Sequence, residues 1–187
     1  MSHIKPCSNR ATIQPSSMPP PVSRGTGPMA RIHYREATSD DAADQAEVFH
    51  HAVMQGTSRH YTMAQRQAWA SALSRDASVW MDRQSRYRTL VAECDRRCVG
   101  FVELDMEKAN VEMLYVWPSL AGMGIGRSLL ALAECNLREG GAVRMTIDAS
   151  LGLAEYLMRH GWDSHGVEWV ERAGERLPRH NMSKNLS

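Results

Sequence analysis

Apolar positions recur along this chain with two periods, and secondary structure is expected to change where the period changes. Ala42, Ala46, Phe49 and Val53 have the spacing of one helical face. Thr38-Ser39-Asp40-Asp41, just before them, supplies a capping residue and acidic side chains for the first turn. Ala30 to Glu36 reads as a strand leading into that helix. Thr62 to Gln65 has the form of a capping box and opens a second helix, carrying Ala68, Trp69 and Leu73 and running to about Arg75. From Arg88 to Asp105 the period falls to two. Thr89 to Glu93 and Cys98 to Asp105 form an antiparallel hairpin around Asp95-Arg96-Arg97, and Asn110 to Trp117 is a third strand. There Val111, Met113, Tyr115 and Trp117 alternate with Glu112, Leu114 and Val116, and Pro118 ends the ladder by removing a donor. Helical spacing returns at Ile125, Leu129, Leu132, Ala133 and Leu137 and stops at Gly140-Gly141. Val143 to Asp148 then reads as a strand and Leu151 to His160 as a short helix. Gly161 to Glu171 and Leu177 to Ser183 are two strands joined through Ala173-Gly174-Glu175.

These periods begin only near residue 30. Residues 1–29 hold six of the eight prolines, with Ser, Gly and Thr between them, and are expected to be a disordered tail. The tail lacks acidic residues, as an organelle transit peptide does, but its prolines forbid the amphipathic helix such a peptide needs. A start at Met29 is the other reading. Residues 30–187 make one mixed α/β domain. A net charge of +1 and the absence of a basic stripe with aromatics argue against nucleic acid as a partner. No apolar run reaches the roughly 18 residues a membrane span needs, and no signal-peptide core precedes the domain. Cys7, Cys94, Cys98 and Cys135 have neither metal-ligand spacing nor disulfide-framework density, so reduced thiols, a cytoplasmic location and no metal are expected. His50 and His51, being adjacent, do not share a helix face and make a poor ligand pair.

The chemistry concentrates in Val111 to Glu134, where a strand passes through glycines 122, 124 and 126 into a helix. Such a junction leaves backbone N–H groups unpaired at the positive end of a helix dipole, which favours an anion and above all a phosphate. Glycines leave the amides open to a diphosphate. The dinucleotide fingerprint does not fit, because Arg127 and Leu129 stand where its last glycine belongs. The nucleotide-triphosphate loop does not fit either, because Gly126 is followed by Arg127 and Ser128 instead of by lysine. The segment resembles the acyl-coenzyme A signature of the GNAT superfamily of N-acetyltransferases, Arg or Gln, two residues, Gly, one residue, then Gly or Ala. It aligns on Ala121, Gly122, Met123, Gly124, Ile125 and Gly126. Leu114-Tyr115-Val116-Trp117-Pro118 resembles that family's preceding strand, and Asp148-Ala149-Ser150, His160-Gly161-Trp162, Asn181-Met182-Ser183-Lys184 and Tyr61 to Ala70 resemble one bacterial subgroup. The resemblance spans residues 30 to 184. It implies the GNAT fold, a central, mostly antiparallel twisted sheet flanked by helices in the order strand, two helices, three strands, helix, strand, helix, two strands.

It also implies acetyl-CoA as co-substrate and an amine as acceptor. The pyrophosphate would lie on the amides around Met123 to Arg127, next to Ser128, with Arg127 either reaching a phosphate or facing solvent. The pantetheine would pair with the backbone of Leu114, Tyr115 and Val116, one amide of that strand acting as oxyanion donor. An alkyl amine of pKa about 10.4 arrives protonated, so a base is needed. Glu112 is the first candidate, through water, and Glu103 the second; the competing reading of each is a strand carboxylate paired with an arginine. Three departures from the family stand out: Ala121 for the usual Arg or Gln, Gly152 where an Asn often touches the cofactor, and Leu157 where a Tyr commonly protonates the leaving thiolate. Tyr156 is the adjacent candidate for that acid, but helical neighbours point about 100 degrees apart, which favours a packing role. Without a donor, a thiol of pKa about 8.5 is still a tolerable leaving group.

By the same resemblance the first two helices border the acceptor pocket, so His60, Tyr61 and Trp69 are candidates to line it. The expected function is transfer of acetyl to a primary amine of a small molecule or peptide. A catalytically weak acyl-CoA-binding sensor on the same fold is the alternative. An edge strand near the C-terminus offers a homodimer contact.

Overall fold

The computed structural model describes residues 31–186. The expected tail, Cys7 and the expected strand start at Ala30 lie outside them. Seven strands form one sheet in the order β1-β2-β3-β4-β5-β7-β6: β1 (His33–Glu36), β2 (Arg88–Cys94), β3 (Arg97–Asp105), β4 (Asn110–Val116), β5 (Arg144–Ala149), β6 (Asp163–Arg172) and β7 (Glu175–Asn185). Every pairing is antiparallel except β4 with β5. The expected mixed α/β, mostly antiparallel architecture is the one found.

Among the described residues five α-helices cover the two faces: α1 (Ala42–His51), α2 (Met63–Ala70), α3 (Ala77–Arg86), α4 (Ile125–Glu139) and α5 (Leu151–Met158). The stripe read from the sequence is the buried face of α1 and of the π-helical turn Ala52–Gly56 that continues it: Ala42, Ala46 and Phe49 of the helix and Val53 of the turn are at most 3% exposed. They pack with Trp80, Val91 and Phe101. On the opposite face Leu129, Ala133 and Leu137 of α4 and Ala154 and Leu157 of α5 meet Val102, Leu104, Met145 and Ile147. The capping box of α2 is present: Gln65 N–H donates to Thr62 Oγ1 at 3.2 Å, and Thr62 N–H donates to Gln65 Oε1 at 3.0 Å.

Two expectations change. The second helix ends at Ala70, five residues short of Arg75, and a further helix, α3, follows it. Asp76 opens α3 by accepting the Ser78 N–H at 2.8 Å. Its only buried residue is Trp80, too thin a stripe for periodicity to mark. The alternation expected for β4 is also broken. Glu103 pairs with Met113 and Leu104 with Val111, so Glu112 is the extra residue of a β-bulge. Val111 therefore joins Leu114 and Val116 on the α4 side, while Met113 and Tyr115 face α1 and α2.

Candidate active site

The bulge sits where the sheet opens. β4 and β5 pair only at Asn110 with Thr146 and Val111 with Ile147, so from Glu112 onward β4 has no partner on that side. Trp117 N–H donates to Val99 O at 2.8 Å, which makes Trp117, Tyr115 and Met113 the residues bonded to β3. By strand alternation the amides of Leu114 and Val116 point into the gap and that of Tyr115 does not. Of the three strand positions expected to offer backbone groups, Leu114 and Val116 are oriented to do so.

At the end of β4, Pro118–Leu120 makes a single 3-10 turn, and Ala121, Gly122, Met123 and Gly124 form an exposed loop. Gly122 and Gly124 have φ of 80° and 85°, the left-handed region that favours glycine. A Cβ at either would meet nothing within 4 Å, so backbone conformation, and not crowding by neighbouring protein, selects glycine there. Gly126 differs: its φ is not positive, and a Cβ would touch Val116 Cγ2 at an ordinary 3.6 Å. Buried Ile125, Leu129 and Leu130 anchor the first turns of α4. Ser128 N–H is the first in the helix with a backbone acceptor, Gly124 O at 3.0 Å, and no side chain caps the end. The N–H groups of Gly124, Ile125, Gly126 and Arg127 are thus the orphan donors of the terminus, four of the amides expected to hold a phosphate, whereas the Met123 N–H, also expected there, donates to Leu120 O at 3.3 Å. Arg127 is exposed beside them and Ser128 is half-buried.

Below the gap lies a cavity of about 550 Å³. β4 gives it Glu112, Met113 and Tyr115; α1 gives Phe49, α2 gives Trp69 and the α2–α3 connection gives Leu73; α3 gives Arg83 and the β6–β7 hairpin gives Val170, Arg172, Leu177 and Arg179. Glu112 reaches it because the bulge frees its side chain from both hydrophobic faces. One carboxylate oxygen accepts Asn110 Nδ2 at 2.7 Å, and Asn110 Oδ1 in turn accepts the Thr146 hydroxyl at 2.8 Å. Glu103, the second candidate base, does not line the cavity. It is fully buried, and Arg83 covers it with Nε at 2.9 Å and Nη2 at 2.6 Å from the same oxygen. Burial raises its carboxyl above the ordinary range despite the arginine. Burial likewise pushes the Tyr115 phenol up.

Tyr61 and Trp69 line this cavity, while His60 faces a second one of about 360 Å³. Tyr61 and Ser150 belong to both. The Tyr61 hydroxyl donates to Pro178 O at 2.7 Å and accepts the Leu151 N–H at 3.0 Å, tying the segment after α1 to β7 and to the start of α5. Gly152 lies under His60: a Cβ there would stand 3.1 Å from the ring. The imidazole occupies the space an asparagine side chain would enter. Leu157 is wholly buried in the core. Tyr156 packs against that core and stacks on His160 with ring centroids 4.0 Å apart, and it lines neither cavity. Ala121 is exposed in the loop.

Sequence patterns did not single out Arg83, Arg172 or Arg179. Each is a charged side chain in a polar context, and only the curl of the hairpin and the seating of α3 bring the three together. Asn110 stood at a strand start with no mark of its role.

Among described residues no cluster of side chains is arranged to hold a metal ion, and no helix is long and apolar enough to cross a membrane. A family model described as an acetyltransferase (GNAT) domain matches residues 38–186. A GCN5-related N-acetyltransferase from Rhodopseudomonas palustris is 32% identical over 86% of this chain and 99% of its own, with a TM-score of 0.77. The PaiA N-acetyltransferase from Thermoplasma acidophilum, solved with coenzyme A, is 20% identical over 83% and 99% of the two chains, with a TM-score of 0.65. A phosphinothricin acetyltransferase from Sinorhizobium meliloti, solved with acetyl-CoA, is 19% identical over 83% and 89%, with a TM-score of 0.63. No curated protein matches. With its sheet opened beside a left-handed glycine loop, and with a family match across nearly all the described residues, the chain belongs to the GNAT acetyltransferase family.

Proposed function

We propose that the protein transfers an acetyl group from acetyl-CoA to a primary amine, with Glu112 as the base. One observation carries this reading: at the bulge that starts the gap between β4 and β5, a carboxylate with no ion-pair partner among the described residues lines the cavity beneath it. The pyrophosphate rests on the amides of Gly124 to Arg127, and the pantetheine follows the gap along Leu114 and Val116. The amine enters from the cavity and gives its proton to Glu112, directly or through a water. It then attacks the thioester carbonyl, whose developing oxyanion takes a hydrogen bond from a gap-facing amide of β4. The C–S bond breaks, coenzyme A leaves as thiolate, and the surplus proton of the intermediate's nitrogen passes to solvent or to the departing sulfur. With Leu157 buried and Tyr156 stacked on His160, α5 offers no tyrosine to protonate it, and the low basicity of a thiolate makes the step feasible without one.

Thermal unfolding with and without acetyl-CoA, followed by thiol release against a panel of amines, tests the reading. Acetyl-CoA at 100 times its Kd is expected to add about 2.7 kcal/mol. Stabilisation with thiol release supports a transferase. Stabilisation without release from any amine favours an acyl-CoA-binding sensor, and no stabilisation refutes the phosphate-loop assignment.

A further inference from the structure

Most charges in the larger cavity are already matched. Arg83 is paired with Glu103, and Arg179 is paired with Asp148 at 3.0 Å and Glu168 at 2.5 Å. Two are left over, and they have opposite sign. Glu112 takes a hydrogen bond from Asn110 but forms no ion pair within 4 Å among the described residues, and nearby Lys108 is held by Asp105 at 3.1 Å. Arg172 donates only to the carbonyl of Glu171, at 3.1 Å, and has no acidic partner within 4 Å among the described residues. Beside those matched charges the wall carries an apolar and aromatic strip, with Trp69, Tyr115, Leu177 and Val170.

The two ends are well separated along the sheet. Glu112 follows Val111, which pairs with Ile147, so its level on β5 is that of Asp148; Asp148 pairs with Asn181, and Arg172 pairs with Glu175. From Asn181 to Glu175 along β7 is six residues, about 20 Å of extended strand. β6 also lies three strands from β4, about 14 Å across the sheet, so the two backbones stand about 25 Å apart; with Glu112 and the exposed Arg172 both lining the cavity, the charge-to-charge span is on the order of 15 Å.

We propose that the acceptor is an elongated amino carboxylate. Its amine meets Glu112, its carboxylate meets Arg172, and an apolar spacer on the order of 15 Å long lies along the aromatic wall. This inference rests on the acetyl-transfer reading and names its substrate class. A long-chain ω-amino acid or a short apolar peptide with a free C-terminus has this shape. An α-amino acid does not, because one carbon joins its nitrogen and its carboxylate. A polyamine is disfavoured by the arginines that share the cavity.

The test is a series of ω-amino acids of increasing chain length, each with its methyl ester and the corresponding alkylamine, plus apolar di- and tripeptides and free α-amino acids. The readout is kcat/KM from thiol release. The long acids are expected to exceed their own esters by a few-fold, about the worth of one exposed ion pair, because Arg172 is exposed. The acid-to-ester ratio should fall towards one in Arg172→Gln, and Arg172→Glu should shift preference to diamines of the same length. The relative rates of ω-amino acids and peptides tell the two sources apart. Equal rates for acid and ester, an unchanged ratio in Arg172→Gln, or α-amino acids as the best acceptors would overturn the inference while acetyl transfer stood. No thiol release from any compound would overturn both.

Discussion

Arg83 lays Nε and Nη2 on one oxygen of Glu103 and leaves the other oxygen, Oε1, buried without a donor. The guanidinium therefore neutralises a carboxylate that the core cannot solvate. Replacing Arg83 by Met strands that charge, and should lower the unfolding free energy by about 3–5 kcal/mol. Adding Glu103→Leu to the same variant should recover most of the loss. Urea unfolding of both variants checks this, and a single variant within about 0.5 kcal/mol of the parent would show that the pair carries no structural role.

Glu112→Gln keeps the shape of the side chain and removes its basicity. Thiol release should drop roughly 10²- to 10⁴-fold, while stabilisation by acetyl-CoA persists, because the amides of α4 are untouched. Turnover within a few-fold of the parent would take Glu112 off the list and leave proton removal to solvent.

At Gly124 conformation and ligand binding can be separated. A Cβ there meets open space, but φ of 85° strains any L-residue, so Gly124→Ala should cost about 1–2 kcal/mol. Gly124→Glu adds a negative charge over the orphan amides. The domain should remain folded by circular dichroism and lose its stabilisation by acetyl-CoA; normal binding in this variant would place the pyrophosphate elsewhere.

Acid sensitivity should begin near β1. Burial alone would raise the Asp41 carboxyl, but Arg35, at 2.7 and 2.9 Å, and the Thr38 N–H, at 2.8 Å, hold it below the usual range. With the folded value depressed, this stabilisation is present above the unfolded value of about 4 and is lost as pH falls through the lower folded one. Asp41→Asn should cost about 2 kcal/mol at pH 7, and the gap between parent and variant should close as pH drops below about 4. A gap that stays constant into acid would mean that the pair contributes no charge-dependent stability.

Local rules with a strong period or a named cap were legible in the sequence. The α1 stripe, the Thr62–Gln65 box and the glycine loop all appear where their residues placed them. Features that depend on the partner strand were not. A bulge is a mismatch between two strands, so no period-two pattern in Asn110 to Trp117 could show that Glu112 was the surplus residue. The extent of the gap was equally hidden, because it depends on where β4 and β5 part. Arg172 carries no local signal beyond the turn that follows it, and its place in the cavity depends on the fold of the β6–β7 hairpin. The proposed phosphate site thus rests on one short segment, whereas the proposed acceptor site draws on β4, α3 and the hairpin.

The Tyr61 hydroxyl described above concentrates risk in a single atom. One oxygen holds three separate stretches of chain in register, and both cavities take part of their wall from that residue. Its two hydrogen bonds are a small fraction of what keeps the domain folded, so warming can loosen them before the sheet melts. Activity and fold would then fail at different temperatures, and an enzyme that still looks native by its backbone signal would already have ceased to turn over.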